Sequence, residues 1–403
     1  MKTKLSPFRT RCWLLVLGMV LLSACASAPP RTVPLPEELA DQATILGLSH
    51  VRTWADALSS KVRQQESATE EEVRARYSGI IGVEHHYLAL SGGSENGAFA
   101  AGLLAGWTEA GTRPSFTIVT GISTGALIAP FAFLGAEYDD EITHVYTHYS
   151  IEEMADRRAV VNMVRNDSFA DSAPLRAIIA RYVTPQMVKE IAAEYRIGRR
   201  LLIGTTNLDA ARPVMWDIGA IAASGAPGSV ELIRDIMLAS ASIPAGFPPV
   251  IIEVEHDGER YDEMHVDGGV TEQVFLYPVS VHWNRLTDHM QLPAPPRVYI
   301  IRNGYLQSRW EPMERKLMPI IGRTVNSLIR TQGIGDLYRM YITTQRDGLE
   351  YHLAYIPLNF ADGLEERAGL QYMRKLYDFA FEQARQGYTW ELVPPGVDHD
   401  EGL

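Results

Sequence analysis

Apolar and polar positions fall into two kinds of block along the chain. Short apolar runs read as buried strands: 87–90 (Tyr-Leu-Ala-Leu), 116–119 (Phe-Thr-Ile-Val), 201–205, 214–217, 297–301 and 351–356. Stretches of helical period lie between them, at 98–107, 126–134, 139–195, 231–239, 314–345 and 364–385. Thr184 before Pro185 marks a helix start, and Gly333 with Gly335 marks a kink. Residues 41–79 also read as helical, because Trp54, Leu58 and Val62 recur at helical spacing. The small, Gly-rich stretch 219–228 reads equally as a loop near the active site or as a simple connection. Strands alternating with helices predict an α/β fold. Its mostly parallel central sheet has helices on both faces, and a helical extension precedes it. Neither an internal repeat nor a sustained heptad is present.

The front of the chain has a different pattern. Lys2, Lys4, Arg9 and Arg11 precede an apolar run from Trp13 to Leu22, which is too short to span a bilayer comfortably and reads as a secretory signal. Leu22-Ser23-Ala24-Cys25 resembles the bacterial lipobox, which implies a diacylated Cys25 at the mature N-terminus. With Ala26 next, the expected place is the cell envelope, lipid-anchored at the outer membrane. Only two cysteines exist, and Cys12 lies inside the signal, so the mature chain has no intrachain disulfide. Prolines 29, 30, 34 and 36 predict an extended tether. The expected divisions are a signal at 1–24, lipidated Cys and tether at 25–40, a helical extension at 41–80, the catalytic core at 81–290 and an α/β extension of the same domain at 291–403.

Charge narrows the partners. The formal net charge is −12, and loss of the four basic residues of the signal takes it to −16. An acidic body argues against nucleic acid and against electrostatic docking on anionic lipid, so membrane proximity is expected from the anchor. No cofactor and no metal are expected. His144 and His148 have the i, i+4 spacing of a zinc pair, but no Glu stands between them.

Three motifs carry the chemistry. Gly121-Ile122-Ser123-Thr124-Gly125 sits between a strand and a helix, the context of a nucleophile elbow. Upstream, Ser91-Gly92-Gly93-Ser94-Glu95-Asn96-Gly97 follows a strand and precedes a helix. Such a turn directs backbone N–H groups at one point, where an oxyanion can bind. A nucleotide-phosphate cradle is the competing reading, but no Gly-Lys-Ser/Thr follows. Downstream, Asp267-Gly268-Gly269 places a carboxylate beside two glycines; taken alone that motif reads better as a hairpin turn, and the other two motifs in this order favour a catalytic role.

In this order and spacing the motifs resemble the patatin-like phospholipase family, over residues 87–279. Thr206-Asn207-Leu208-Asp209 with Pro213 to Trp216, and the run from Ala239 to Pro244 with Phe247-Pro248-Pro249, resemble further family segments. The resemblance implies a three-layer patatin-like fold. It also implies a Ser123–Asp267 dyad, an oxyanion hole from Gly92, Gly93 and Ser94, and supporting roles for Asn96, Gly97, Gly121, Gly125, Gly268 and Gly269. The implied activity is a serine lipid acyl hydrolase of phospholipase A, lysophospholipase or esterase type, acting on phospholipid or another acyl lipid. The loop departs from the family's pattern: Ser94 replaces a Gly and Asn96 replaces a basic residue. A catalytically weak lipid-binding scaffold and a transacylase therefore stay open. A His triad would draw on His265, His282, His289 or His352.

Overall fold

The computed structural model describes residues 31–49, 51–57, 68–154, 156–157, 168–362, 364 and 368–397. The expected signal, Cys25 and residues 26–30 lie outside this set. The major elements in chain order begin with β1 (Arg52–Trp54), α1 (Glu70–Arg76), β2 (His86–Leu90), α2 (Gly97–Glu109), β3 (Ile118–Ile122), α3 (Thr124–Leu134) and α4 (Asp139–His148). A two-stranded ribbon, β4 (Asp156–Arg157) with β5 (Ala170–Asp171), leads into α5 (Ala173–Tyr182) and α6 (Pro185–Arg196). Then come β6 (Arg200–Asn207), β7 (Arg212–Asp217), α7 (Ile218–Ser224), α8 (Ser229–Ser240), β8 (Val250–His256) and β9 (Glu259–Asp267). The chain finishes with β10 (Arg297–Arg302), α9 (Leu317–Asp347), β11 (Glu350–Tyr355) and α10 (Gly369–Arg385).

The main sheet runs β1-β7-β6-β3-β2-β10-β11. Its five central strands, β6 to β11 in that order, are parallel. β7 and β1 extend one side antiparallel, and the β8–β9 hairpin pairs with the far end of β6. Strand pleating divides the core. Leu88 and Leu90 of β2 join a large cluster with Phe99, Leu103 and Ile128. Tyr87 and Ala89 point the other way, against Val298, Ile300 and Leu337. The result is the expected three layers. The chain steps from β2 to β3 to β6 on one side and later to β10 and β11 on the other. The order therefore reverses at β2, and ligand crevices in such sheets open beyond the strand ends at that point.

The N-terminal expectation is corrected. The described residues between 41 and 57 are not helical: Trp54 lies in β1, paired with Val214 of β7. Leu58 and Val62 fall outside the described residues, and among the described residues of this stretch the helix is Glu70–Arg76, with a Thr69–Glu72 capping box. The tether is shorter than expected. Arg31 binds Asp209 through both terminal nitrogens (2.5 and 2.9 Å) and Asp262 through Nε (2.6 Å). Leu35 donates its N–H to the Asp262 carbonyl at 3.1 Å, so residues 31–35 are part of the body. The 219–228 stretch is mostly α7, capped by Asp217, and α9 is one helix through Gly333 and Gly335.

Candidate active site

The three motifs meet at the C-terminal end of the parallel strands. Ser123 follows β3 with φ 55° and ψ −124°, a left-handed conformation that strains a residue bearing a Cβ. Its N–H donates to Ser240 Oγ (2.9 Å), and Ser240 Oγ donates to the Gly204 carbonyl (2.6 Å), so α8 and β6 hold the elbow from behind. Close packing explains the flanking glycines. A Cβ on Gly121 would lie 2.4 Å from the Gly125 carbonyl oxygen, and one on Gly125 would lie 2.3 Å from that of Leu90. Gly97 meets Thr124, and Gly268 meets the Gly204 carbonyl, in the same way.

Asp267 ends β9 beside Thr205 of β6 and is buried. Its Oδ1 accepts the Gly269 N–H at 2.7 Å. Oδ2 is buried and has no hydrogen bond of ordinary geometry. Burial pushes the carboxyl up to about 7, while the Ser123 hydroxyl and the Gly269 amide pull it down. The Ser123 hydroxyl is near enough to favour the charged form of this carboxyl, although it makes no hydrogen bond to Oδ2. Among the described residues no histidine bonds either one. His265 is spent on Thr205 (3.0 Å) and Glu263 (3.2 Å). His144 and His148 stack at 4.3 Å between ring centres on α4.

The Gly-rich loop lies against the serine: a Cβ on Gly92 would be 3.2 Å from Ser123 Cβ. Gly92 departs from the expectation, because its N–H donates to the Gln273 carbonyl at 3.0 Å. The amides of Gly93 and Ser94 donate to no acceptor among the described residues. Ser94 has φ 52°, which explains why glycine suits that place. The Asn96 side chain accepts the Tyr372 hydroxyl of α10 (2.7 Å), and Glu95 accepts the Gly369 N–H (3.2 Å).

A cation missing from the loop is supplied from elsewhere. Arg302, buried at the end of β10, donates Nη1 to Ser91 Oγ (3.0 Å) and to the Gly92 carbonyl (2.8 Å). Burial lowers it to about 10, so it keeps its charge at neutral pH; Asp336 lends support. The Gly92 carbonyl and the Gly93 N–H belong to one peptide unit. A guanidinium on the carbonyl polarises that unit and strengthens the N–H on its far side. Asn303 ties down the same turn, donating N–H to Ser91 Oγ (2.8 Å) and Nδ2 to the Ser91 carbonyl (2.9 Å). Neither residue was singled out in the sequence. The available signal was a polar pair closing a strongly apolar strand, at the end where the other motifs lie.

Ser123 opens into an apolar cavity of about 80 Å³, whose walls include Leu127, Leu175, Ile179, Ile243, Phe247 and Met373. A larger cavity of about 200 Å³, bounded by Tyr87, Arg200 and Met290, contains none of the motif residues.

The family model for patatin-like phospholipases matches residues 88–279, a span that holds the loop, the elbow and Asp267. The chain carries a patatin-like phospholipase domain. The mostly parallel sheet between helical layers is consistent with that family's three-layer fold. The patatin-like domain is completed by parts outside the matched span, Arg302, Asn303 and Tyr372 among them. The crystal structure of VipD from Legionella pneumophila aligns with a TM-score of 0.35 and 11% identity, covering 77% of this chain and 67% of that one. Among curated proteins none matches the chain.

Proposed function

We propose that the protein is a serine carboxylic-ester hydrolase that cleaves an acyl chain from a membrane lipid, using Ser123 and Asp267. One observation carries this reading. A buried carboxyl with a free oxygen and a pKa of about 7 faces a hydroxyl at the end of an apolar cavity. A carboxylate so raised is a competent base near neutral pH. Asp267 takes the Ser123 proton as Oγ attacks the ester carbonyl. The developing oxyanion receives the Gly93 and Ser94 amides. Asp267 then returns the proton to the departing alcohol oxygen, leaving the acyl chain on Ser123 and in the cavity. Water, deprotonated by Asp267, releases the fatty acid.

A fluorophosphonate probe tests the proposal. The wild-type chain should label and Ser123→Ala should not, and Asp267→Asn should lose lipid hydrolysis while keeping its fold. Activity that survives both substitutions would overturn it. The scaffold reading draws on Asn96, whose amide is locked to Tyr372 rather than aimed at the serine; it predicts lipid binding without labelling. A transacylase would instead form a new ester when an alcohol acceptor is added. Anchoring through Cys25 belongs to the same proposal, and mass spectrometry of the mature N-terminus checks it: a free thiol would end it.

A further inference from the structure

Helix α9 is 31 residues long, about 46 Å by helical rise. It returns the chain from the site end of β10 to the opposite end, where β11 begins. A six-residue strand spans only about 20 Å, so roughly half of α9 projects beyond the catalytic end of the sheet. The junction is visible at Gln332, whose Oε1 accepts from the Gln273 amide (3.2 Å) beside Gly269. From Gly333 onward the helix has buried residues; from Leu317 to Leu328 it has none.

The projecting half is amphipathic the wrong way round. Leu317, Ile321, Val325 and Leu328 share one face by their spacing. Leu317 and Leu328 are 72% and 65% exposed, and Met318 on the flank is 63% exposed. On the opposite side Arg323 and Arg330 donate to the carbonyls of Arg309 (2.6 Å) and Leu306 (3.3 Å). The polar side faces the protein's own loop and the apolar side faces solvent, the reverse of an ordinary surface helix. Trp310 on that loop is 94% exposed. Scattered apolar residues on a surface need no explanation, but a contiguous stripe with a bare tryptophan marks a contact surface.

Charge identifies the partner. In a chain of net charge −12, residues 309–330 hold five basic residues against two acidic ones; Arg309, Lys316 and Arg323 pair with Asp362 (3.4 Å), Glu314 (2.7 Å) and Glu311 (3.7 Å), and Arg315 and Arg330 leave the segment net positive. Arg315 and Lys316 stand at the N-terminal end of α9, where the helix dipole is also positive. Cations there disfavour a solvated helix and complement an anionic surface. Tryptophan and basic residues bordering an apolar face make up an interfacial helix. We propose that the loop and helix of residues 309–328 dock the protein on an anionic phospholipid bilayer, the stripe entering the headgroup–acyl boundary beside the catalytic end. The acyl-lipid reading above explains why the surface lies there; the docking itself rests on the patch. The acidity of the whole chain, which argued against charge-based docking, is reversed in this segment.

The test uses the full chain and vesicles of phosphatidylcholine with or without phosphatidylglycerol. Fluorescence of Trp310, isolated as the difference between wild type and Trp310→Phe, should shift to the blue on anionic vesicles and be quenched by brominated phospholipid. A Leu317→Ser/Ile321→Ser/Leu328→Ser chain should hydrolyse vesicle lipid about tenfold or more slowly while turning over a soluble short-chain ester as before. Unchanged Trp310 emission on vesicles would overturn the proposal, as would a wild-type rate of vesicle hydrolysis by the triple variant. A concentration-dependent dimer abolished by the triple substitution would assign the surface to a second copy of the chain and also overturn it. If the wild type hydrolyses neither ester nor vesicle lipid, the hydrolase reading fails, and the Trp310 signal still decides the docking.

Discussion

Asp267 occupies a place that works against its charge, and this has two measurable consequences. With its pKa raised to about 7, the carboxylate form is half populated near neutrality. Ester turnover should therefore rise with pH and level off above about 7. The stability effect has the opposite sense. The folded state holds the proton more tightly than the unfolded chain, so stability falls as pH rises from the ordinary carboxyl range through 7. Asp267→Asn should then stabilise the fold at pH 8, on the order of 4 kcal/mol, and leave it unchanged at pH 4 by thermal denaturation. Glu272, pushed to about 7 by burial and by Asp336, titrates in the same window, so a Glu272→Gln chain is the control. Arg302 acts at one remove. Arg302→Lys loses the fixed geometry on the Gly92 carbonyl and should lower kcat on a soluble ester by roughly 10- to 100-fold, with KM little changed. Ser123 and Asp267 were legible because each carries glycines that only a crowded turn needs. Arg302 was not: nothing local distinguishes it from the charged end of any strand, and its role exists only once β10 lies beside β2.

Among elements, the closest packing is between α2 and α10. A Cβ on Gly102 would lie 2.2 Å from the Tyr377 carbonyl oxygen, and one on Gly106 would lie 2.1 Å from that of Phe381. One turn apart, the two glycines let the helix backbones touch. Gly106→Ala should force them apart and cost about 1–3 kcal/mol, read as a lowered denaturation midpoint. The element pattern was most legible at the centre of the sheet, where parallel strands covered on both faces become continuous apolar runs. It misled at 41–57, where a few apolar residues matched a helical period although Trp54 sits on an edge strand. The β8–β9 hairpin was also missed. Its turn, Asp257-Gly258 at φ 50° and 81°, carries the Asp-Gly signature of a tight hairpin. That signature drew notice instead at Asp267-Gly268, where the chain ends a strand and enters the site.

For the molecule as a whole, the N-terminal attachment sets reach. Arg31 is fastened to Asp209 and Asp262. Five residues separate it from Cys25, and the six Cα-to-Cα steps span at most about 20 Å. A lipid on Cys25 would therefore hold the body close against its membrane. Arg31→Ala should expose residues 31–45 to limited proteolysis that the wild type resists.

The loop beside the nucleophile is gripped by the last helix of the chain, through Gly369 on Glu95 and Tyr372 on Asn96. A polypeptide emerging N-terminus first therefore carries its serine and its aspartate long before it can use them. On the proposed hydrolase reading, such a chain stays inert toward lipid until its tail has arrived. A chain ending at residue 368 should contain both groups and still ignore the fluorophosphonate probe.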